Sequence, residues 1–478
     1  MSTFKKFSRT FWIANTIELF ERWAWYGLFM LFANYLTGST DTGALGFSQA
    51  EKGLMMGVGV AILYFLPLIT GAIADKYGYK RLLLLSFIVY TSAFILLPQF
   101  TSFAGVFIMY MYLAVGSALF KPIISATIAK TTTDETSSIG FGIFYMMVNI
   151  GAFFGPLLTL VLRNNSGSYQ LVFYVSAAIV ALNFIMLLFY KEPEREANNE
   201  TFSKAIVTVF HNVYTAVKDH KFLIFLLLIA GFWTMYYQLF YSLPVFISQW
   251  VDTSAVFTFF SLHIPFFANN YGIDGQMNAE FITNFDALFI IIFQIMISTL
   301  VMKWKPLNTM MTGFFVCSSG IALTLTTQNV IFTIVALFIF SLGEMSSSPK
   351  ITEYIGRIAP QDKKALYMGC SFIPVCIGSL FAGIVSGNVY GALSDKDVFV
   401  HREIAGQGIQ LADGLSKNEY FSQAAAQMNM SPMELTNYLW DKYHPASIWT
   451  IVFAIGLAAA VGLFLYDRFL LNAKSVDK

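Results

Sequence analysis

Twelve apolar runs of roughly 20 residues, parted by short polar stretches, constrain this chain more than any other feature. They lie near 11–36, 50–74, 80–98, 102–130, 138–162, 168–190, 222–249, 283–302, 308–326, 329–356, 364–393 and 445–470. A helix of that length satisfies its own backbone hydrogen bonds and crosses the hydrocarbon of a bilayer. The spacing therefore predicts an all-α polytopic membrane protein of twelve transmembrane helices. Of the 478 residues 56% are hydrophobic and 12% charged, about half the charged share of soluble proteins. That composition excludes soluble, disordered and disulfide-framework classes. A net charge of +1 argues against nucleic acid as a partner. Cys317, Cys370 and Cys376 sit in apolar stretches without metal-ligand spacing, so neither a zinc site nor a disulfide is expected. The first run carries Glu18, Glu21 and Arg22 in its middle and has no cleavage pattern, so it reads as a span and not a signal peptide.

With the amino terminus taken as cytoplasmic, 20 of the 29 lysines and arginines fall inside, among them Lys5, Lys6, Arg195, Lys363, Lys474 and Lys478. Six fall outside: Lys52, Arg163, Lys396, Arg402, Lys417 and Lys442. This bias places both termini in the cytoplasm and the chain in a plasma membrane; the compact loops favour a bacterial inner membrane. A polar stretch after the sixth run divides the chain into a six-helix bundle at 1–190, a linker at 191–221 with one amphipathic helix, a second six-helix bundle at 222–470 and a tail at 471–478. The external loop 394–444 contains MSPMELTNYLWDKYHP, whose serine cap, first-turn proline and acid, and spaced Met433, Leu435 and Leu439 predict a short surface helix.

Charges inside spans are costly and mark functional sites. Six lie deep: Glu18, Glu21, Arg22, Lys121, Asp286 and Glu344, with Lys350 and Glu353 nearer a helix end. Glu18, Glu21 and Arg22 share one helix face, which Tyr26 and Phe29 continue. Protonating one acid there releases the base, which then binds an anionic group. The alternative is a static ion network pinning the first helix to the fourth. For Lys121 the alternative is a snorkelling side chain, and for Glu344 a kink residue satisfied by Ser341 or Ser347.

The loop GAIADKYGYKR, from Gly71 to Arg81, resembles the signature of the major facilitator superfamily. That resemblance implies two pseudo-symmetric bundles around a midplane cavity opening alternately to each side. ELFERWAWYG (Glu18 to Gly27), GSALFKPIISA, FYMMVNIGAFFGP, FWTMYYQ and GEMSSSPKITEYIGRIAP resemble, in order, motifs of the proton-dependent oligopeptide transporter family. The resemblance implies that Glu18, Glu21 and Arg22 form a proton-responsive cluster with Lys121 as cross-helix partner. It further implies that Arg22, Lys121, Tyr26, Tyr64 and Asn149 hold a peptide's carboxylate and backbone, that Glu344 takes its amino group, and that Trp233 lines the pocket or packs.

Two departures matter. Family members often carry an arginine at Phe29 and an acid at Tyr237, thought to form an outer salt bridge. Losing both predicts an aromatic contact between these residues. Asp286 stands where the family has an asparagine, with Ala287 in place of its proline, and supplies either a substrate contact or a further proton site. The reading that follows is a symporter, functional as a monomer, that imports di- or tripeptides with protons and uses no cofactor. A carrier of another amine-containing solute and a non-transporting scaffold are the alternatives. No nucleophile and base pair appears, so no enzyme is expected.

Overall fold

The computed structural model describes residues 7–133, 136–194, 202–323, 327–359 and 364–471. Lys5, Lys6, Arg195, Lys363, Lys474 and Lys478, part of the linker, and the tail beyond Leu471 lie outside the described residues.

Proline, glycine and capping residues set the element boundaries. The Ser8 hydroxyl accepts from Phe11 N–H and opens α1 (Arg9–Thr37). Ser48 and Glu51 form a capping box ahead of α2 (Gln49–Phe65). Pro67 then begins α3 (Pro67–Tyr77), which bends 41° from α2 because proline cannot continue the hydrogen-bond ladder. Gly78 takes φ of +101°, open to glycine alone without strain, and turns the chain into α4 (Tyr79–Leu96). The signature loop ends here: Glu192 accepts from the N–H of Tyr79 at 2.8 Å, and Asp75 from the Tyr79 hydroxyl at 3.0 Å.

The first group closes with α5 (Phe103–Lys130), α6 (Ser137–Ser166) and α7 (Tyr169–Phe189). Helix α1 packs on α6 and α7, α4 on α5 and α7, and α2 on α5. Helix α8 (Phe202–Val217) lies in the linker stretch as expected. The seventh run is broken into α9 (His220–Tyr236), α10 (Gln238–Tyr241) and α11 (Leu243–Trp250), with Pro244 starting the last piece. Beyond it stand α12 (Ser254–His263) and α13 (Pro265–Tyr271), a two-stranded hairpin of β1 (Gly272–Ile273) and β2 (Gln276–Met277), and α14 (Ala279–Thr283). The second group continues with α15 (Phe285–Val301), α16 (Pro306–Ala322), α17 (Val330–Ile358), α18 (Lys364–Gly369), α19 (Ile373–Ile384) and α20 (Tyr390–Leu393), a π turn at Val385–Val389 joining the last two.

The loop 394–444 holds three helices where the sequence suggested one: α21 (Lys396–Gly406), α22 (Lys417–Gln427) and α23 (Pro432–Tyr443). The anticipated helix is α23, capped by Ser431 and Glu434 with Leu435 and Leu439 buried, whereas Met433 is exposed. Helix α24 (Ser447–Leu465) completes the fold. In the second group α16 packs on α17 and α24, and α9 on α19 and α24.

Nine helical stretches among the described residues are long and apolar enough to cross a membrane, and the bent pair α2 and α3 makes a tenth. Length and composition thus do not reproduce twelve. Helix α1 carries the three charges Glu18, Glu21 and Arg22 within its 29 residues, and α16 has 17 residues.

The two groups meet mainly on the side that bears loop 394–444. There α1 touches α10 and α11, α2 touches α19 and α20, and α6 touches α13, α14 and α15. On the side of the termini α8 bridges the groups by touching α3 and α18.

Candidate functional site

The interior of the bundle carries the charges singled out in the sequence. Glycine makes the first cluster possible, because α6 reaches the Arg22 face of α1 only where Cβ atoms are missing. A Cβ on Gly151 would stand 2.7 Å from the Cβ of Arg22, and one on Gly155 would stand 3.0 Å from Gly27 N. Glu18, Glu21 and Arg22 are then buried, at 6%, 0% and 5% exposure, far below what unpaired ions tolerate. Arg22 Nε meets Glu21 Oε2 directly and Glu18 Oε1 at 3.3 Å. The two acids differ in their support. Glu21 Oε1 also accepts from Tyr90 and Ser117 hydroxyls, each at 3.0 Å, whereas the polar contact of Glu18 among the described residues is the arginine. Tyr90 and Ser117 are functional candidates that sequence reading missed; a buried tyrosine and serine carry no signal until α4 and α5 are placed beside α1.

Lys121 does not pair with these acids. Among the described residues it makes no ion pair within 4.0 Å, and its ammonium stands 3.6 Å from the centroid of the Tyr64 ring. The expected cross-helix partner is therefore a cation and aromatic contact of a kind that is strong when desolvated. Tyr26 lies under the Arg22 guanidinium at 5.8 Å and within electrostatic range of Tyr64 and, across the groups, Glu344. Asn149 donates its amide to the Tyr145 carbonyl at 2.8 Å, one turn back on α6. Trp233 packs edge-on against Tyr236 at 5.0 Å, with its Nε1 buried and without a hydrogen-bond partner among the described residues.

In the second group Glu344 Oε1 accepts from the Tyr236 hydroxyl at 2.8 Å. Ser341, weighed as a partner for Glu344, instead donates to Asp286 Oδ1 at 2.5 Å, and Ser347 turns back to the Gly343 carbonyl. Asp286 and Glu344 lie within range of each other's charge. Of the fifteen buried side-chain polar atoms without a partner among the described residues, two belong to acidic or basic side chains, and they lie in opposite groups: Arg22 Nη2 and Glu344 Oε2. Lys350 and Glu353 pair with each other at 2.7 Å and stay out of the cluster.

The aromatic replacement for the outer salt bridge is displaced by one turn. Phe29 meets Phe240 at 5.2 Å and Tyr241 at 6.2 Å, and no ring contact joins it to Tyr237 among the described residues. The Phe240 and Tyr241 rings both belong to the four-residue α10, which breaks at Tyr237 and Ser242 set off from α9 and α11. Lys52, counted among loop lysines, is fully buried.

A helical bundle of this kind, with acids and bases drawn from two packed groups into one interior, defines a polytopic membrane transporter. The chain matches the model of the Major Facilitator Superfamily over residues 16–383 and belongs to that superfamily. It is 22% identical over 396 residues to a Na(+), Li(+), K(+)/H(+) antiporter of Planococcus maritimus, covering 80% of this chain and 89% of that protein. It is 31% identical over 196 residues to dipeptide and tripeptide permease A of Pectobacterium carotovorum subsp. carotovorum (strain PC1), covering 40% of this chain and 37% of the permease. Among solved structures it resembles a POT family transporter in complex with 5-aminolevulinic acid, with a TM-score of 0.68 at 18% identity over 95% of this chain and 96% of that one.

Proposed function

We propose that this protein is a proton-coupled symporter that imports di- or tripeptides by alternating access between bundles 1–190 and 222–470, with the loop side outside and both termini cytoplasmic. One observation carries the reading: a buried guanidinium nitrogen on one bundle and a buried carboxylate oxygen on the other, Arg22 Nη2 and Glu344 Oε2, both lack partners among the described residues. Such groups are costly to leave unmade, and a zwitterion satisfies both at once. Its carboxylate goes to Arg22 with Lys121, Tyr26, Tyr64 and Asn149, and its amino group to Glu344 beside Asp286 and Trp233.

The coupling follows from the unequal support of the two acids. Glu21, held by Tyr90, Ser117 and Arg22, is the fixed acceptor. Glu18, at 3.3 Å from Arg22 alone, is the exchangeable one. A proton on Glu18 removes one of the arginine's two anions and frees it for the substrate carboxylate. One proton crossing 100 mV supplies about 2.3 kcal/mol and a pH unit about 1.4 kcal/mol more, enough to accumulate a neutral peptide by a few orders of magnitude.

The test is uptake of a peptide panel into proteoliposomes with and without an inward proton gradient, for the native chain, Lys121→Ala and Glu344→Gln. Gradient-driven uptake that both variants lose supports the reading; no movement of any peptide refutes it. A second reading, monovalent-cation and proton exchange, is favoured by the length of the antiporter match and the paired acids Asp286 and Glu344. Sodium-driven proton flux without peptide would establish it. Uptake of other amine-containing solutes only would place the chain among carriers of altered specificity, and a scaffold would be indifferent to both variants.

A further inference from the structure

The loop side of the interface is sealed by backbone contact. Glycines of α2 face glycines of α19 and of the π turn that follows it: a Cβ on Gly57 would stand 3.2 Å from Gly383 Cα, and one on Gly387 3.3 Å from Gly53 Cα. Into this seam the fold places Lys52, 0% exposed. Its Nζ reaches Gln49 Oε1 and the Tyr241 carbonyl of the other bundle, each at 2.8 Å, and stands 5.1 Å from the Tyr390 ring. No carboxylate pairs with it within 4.0 Å among the described residues; the nearest link is Gln49, whose amide reaches Asp395 at 3.4 Å. Burying an ammonium without a counter-ion is costly, and the cost is relieved when the seam opens and water reaches it.

A second set of contacts holds the same seam shut from outside. The N-terminal end of α22 lies on the turn after α1: Lys417 Nζ donates to the carbonyls of Thr37 at 2.9 Å and Phe47 at 3.2 Å, and Asn418 donates its backbone N–H to Ser39 Oγ and its amide to Asp41, both at 3.0 Å. The Asn418 contact to Asp41 is exposed and weak, whereas Lys417 is half-buried against the buried Thr37 and Phe47.

We propose that the loop 394–444 and Lys52 form a sprung latch: α22 is the catch that keeps the outer side closed, and the buried Lys52 is the spring that drives it open once the catch lets go. This rests on the alternating-access reading, but its test needs no substrate, so its failure is separable from a failure of uptake. Nitroxide labels at Leu54→Cys and Leu262→Cys, both exposed and on opposite bundles, report opening by double electron–electron resonance in nanodiscs, with the native cysteines replaced by serine. Lys417→Ala with Asn418→Ala should raise the ratio of long to short distances about five-fold, the effect of roughly 1 kcal/mol on a two-state equilibrium. Lys52→Met should lower it by a similar factor; should that variant not fold, Lys52→Gln is read the same way. An unchanged ratio in either arm, or a rise in the Lys52 variant, overturns the proposal.

Discussion

Glu344 offers the sharpest test of how the site measures its substrate. One carboxylate oxygen is occupied by Tyr236 at 2.8 Å, so the hydroxyl fixes the side chain and leaves Oε2 aimed and unpaired. A charge-assisted bond from a peptide's amino group to that oxygen contributes about 1.5–3 kcal/mol, or roughly 10- to 150-fold in affinity. The perturbation is Glu344→Gln crossed with N-acetylation of the peptide. In the native protein acetylation should weaken binding by that factor. In the variant, where the anion is already gone, acetylation should cost less than about three-fold, giving a coupling of at least roughly 1 kcal/mol between neighbouring groups. Competition against a labelled peptide measures all four affinities. Amidating the peptide's carboxylate serves as control, because that end goes to Arg22, and its penalty should be the same in both proteins. Equal acetylation penalties with and without the carboxylate would refute the assignment of Glu344 to the amino group.

Other outcomes follow from single contacts. Gly155→Ala drives a methyl to within 3.0 Å of Gly27 N; overpacking of this kind costs about 1–3 kcal/mol, seen as a lower thermal midpoint in detergent together with weaker peptide binding, since Arg22 shifts with α1. Asp286→Asn should change the pH dependence of uptake or the ranking of peptides; identical profiles between pH 5 and 8 for every peptide would remove Asp286 from the site. Asp252, in the loop before α12, would be pushed up by burial, but hydrogen bonds from Ser254 and Gln276 outweigh this and hold it below the usual carboxylate range. A lowered folded-state value makes its contribution complete above the unfolded value, about 3.9, and lost as pH falls through the folded one. The difference in thermal midpoint between native protein and Asp252→Asn should therefore be constant from pH 6 to 8 and shrink below about pH 4.

What could be read in advance was whatever one helix carries by itself. The i, i+3, i+4 spacing of Glu18, Glu21 and Arg22 forces them onto a common face in any fold that keeps α1 helical, and the structure joins them there. The cap of α23 was equally local. Partners drawn from other helices were not legible. Lys121 was expected beside the acids, yet it sits on Tyr64, because its choice depends on how α5 is rotated against α2 and α1. Ser341 was weighed for Glu344 and serves Asp286, a difference settled by the placing of α15 on α17. The displaced contact of Phe29 falls on α10, a short piece set off by breaks at Tyr237 and Ser242 that the apolar run 222–249 conceals.

Lys52 shows where the division falls. Its charge alone placed it with the loop lysines, since local sequence reports the solvation of a residue on its own helix and nothing of what will cover it. Only the meeting of α2 with α10 and α19 buries it. Hydrophobic length and helical periodicity, which act within about 20 residues, determined that this chain lives in a bilayer and which charges share a face. Which group neutralises which charge, and which side of the interface is shut, were decided by packing between helices far apart in the chain.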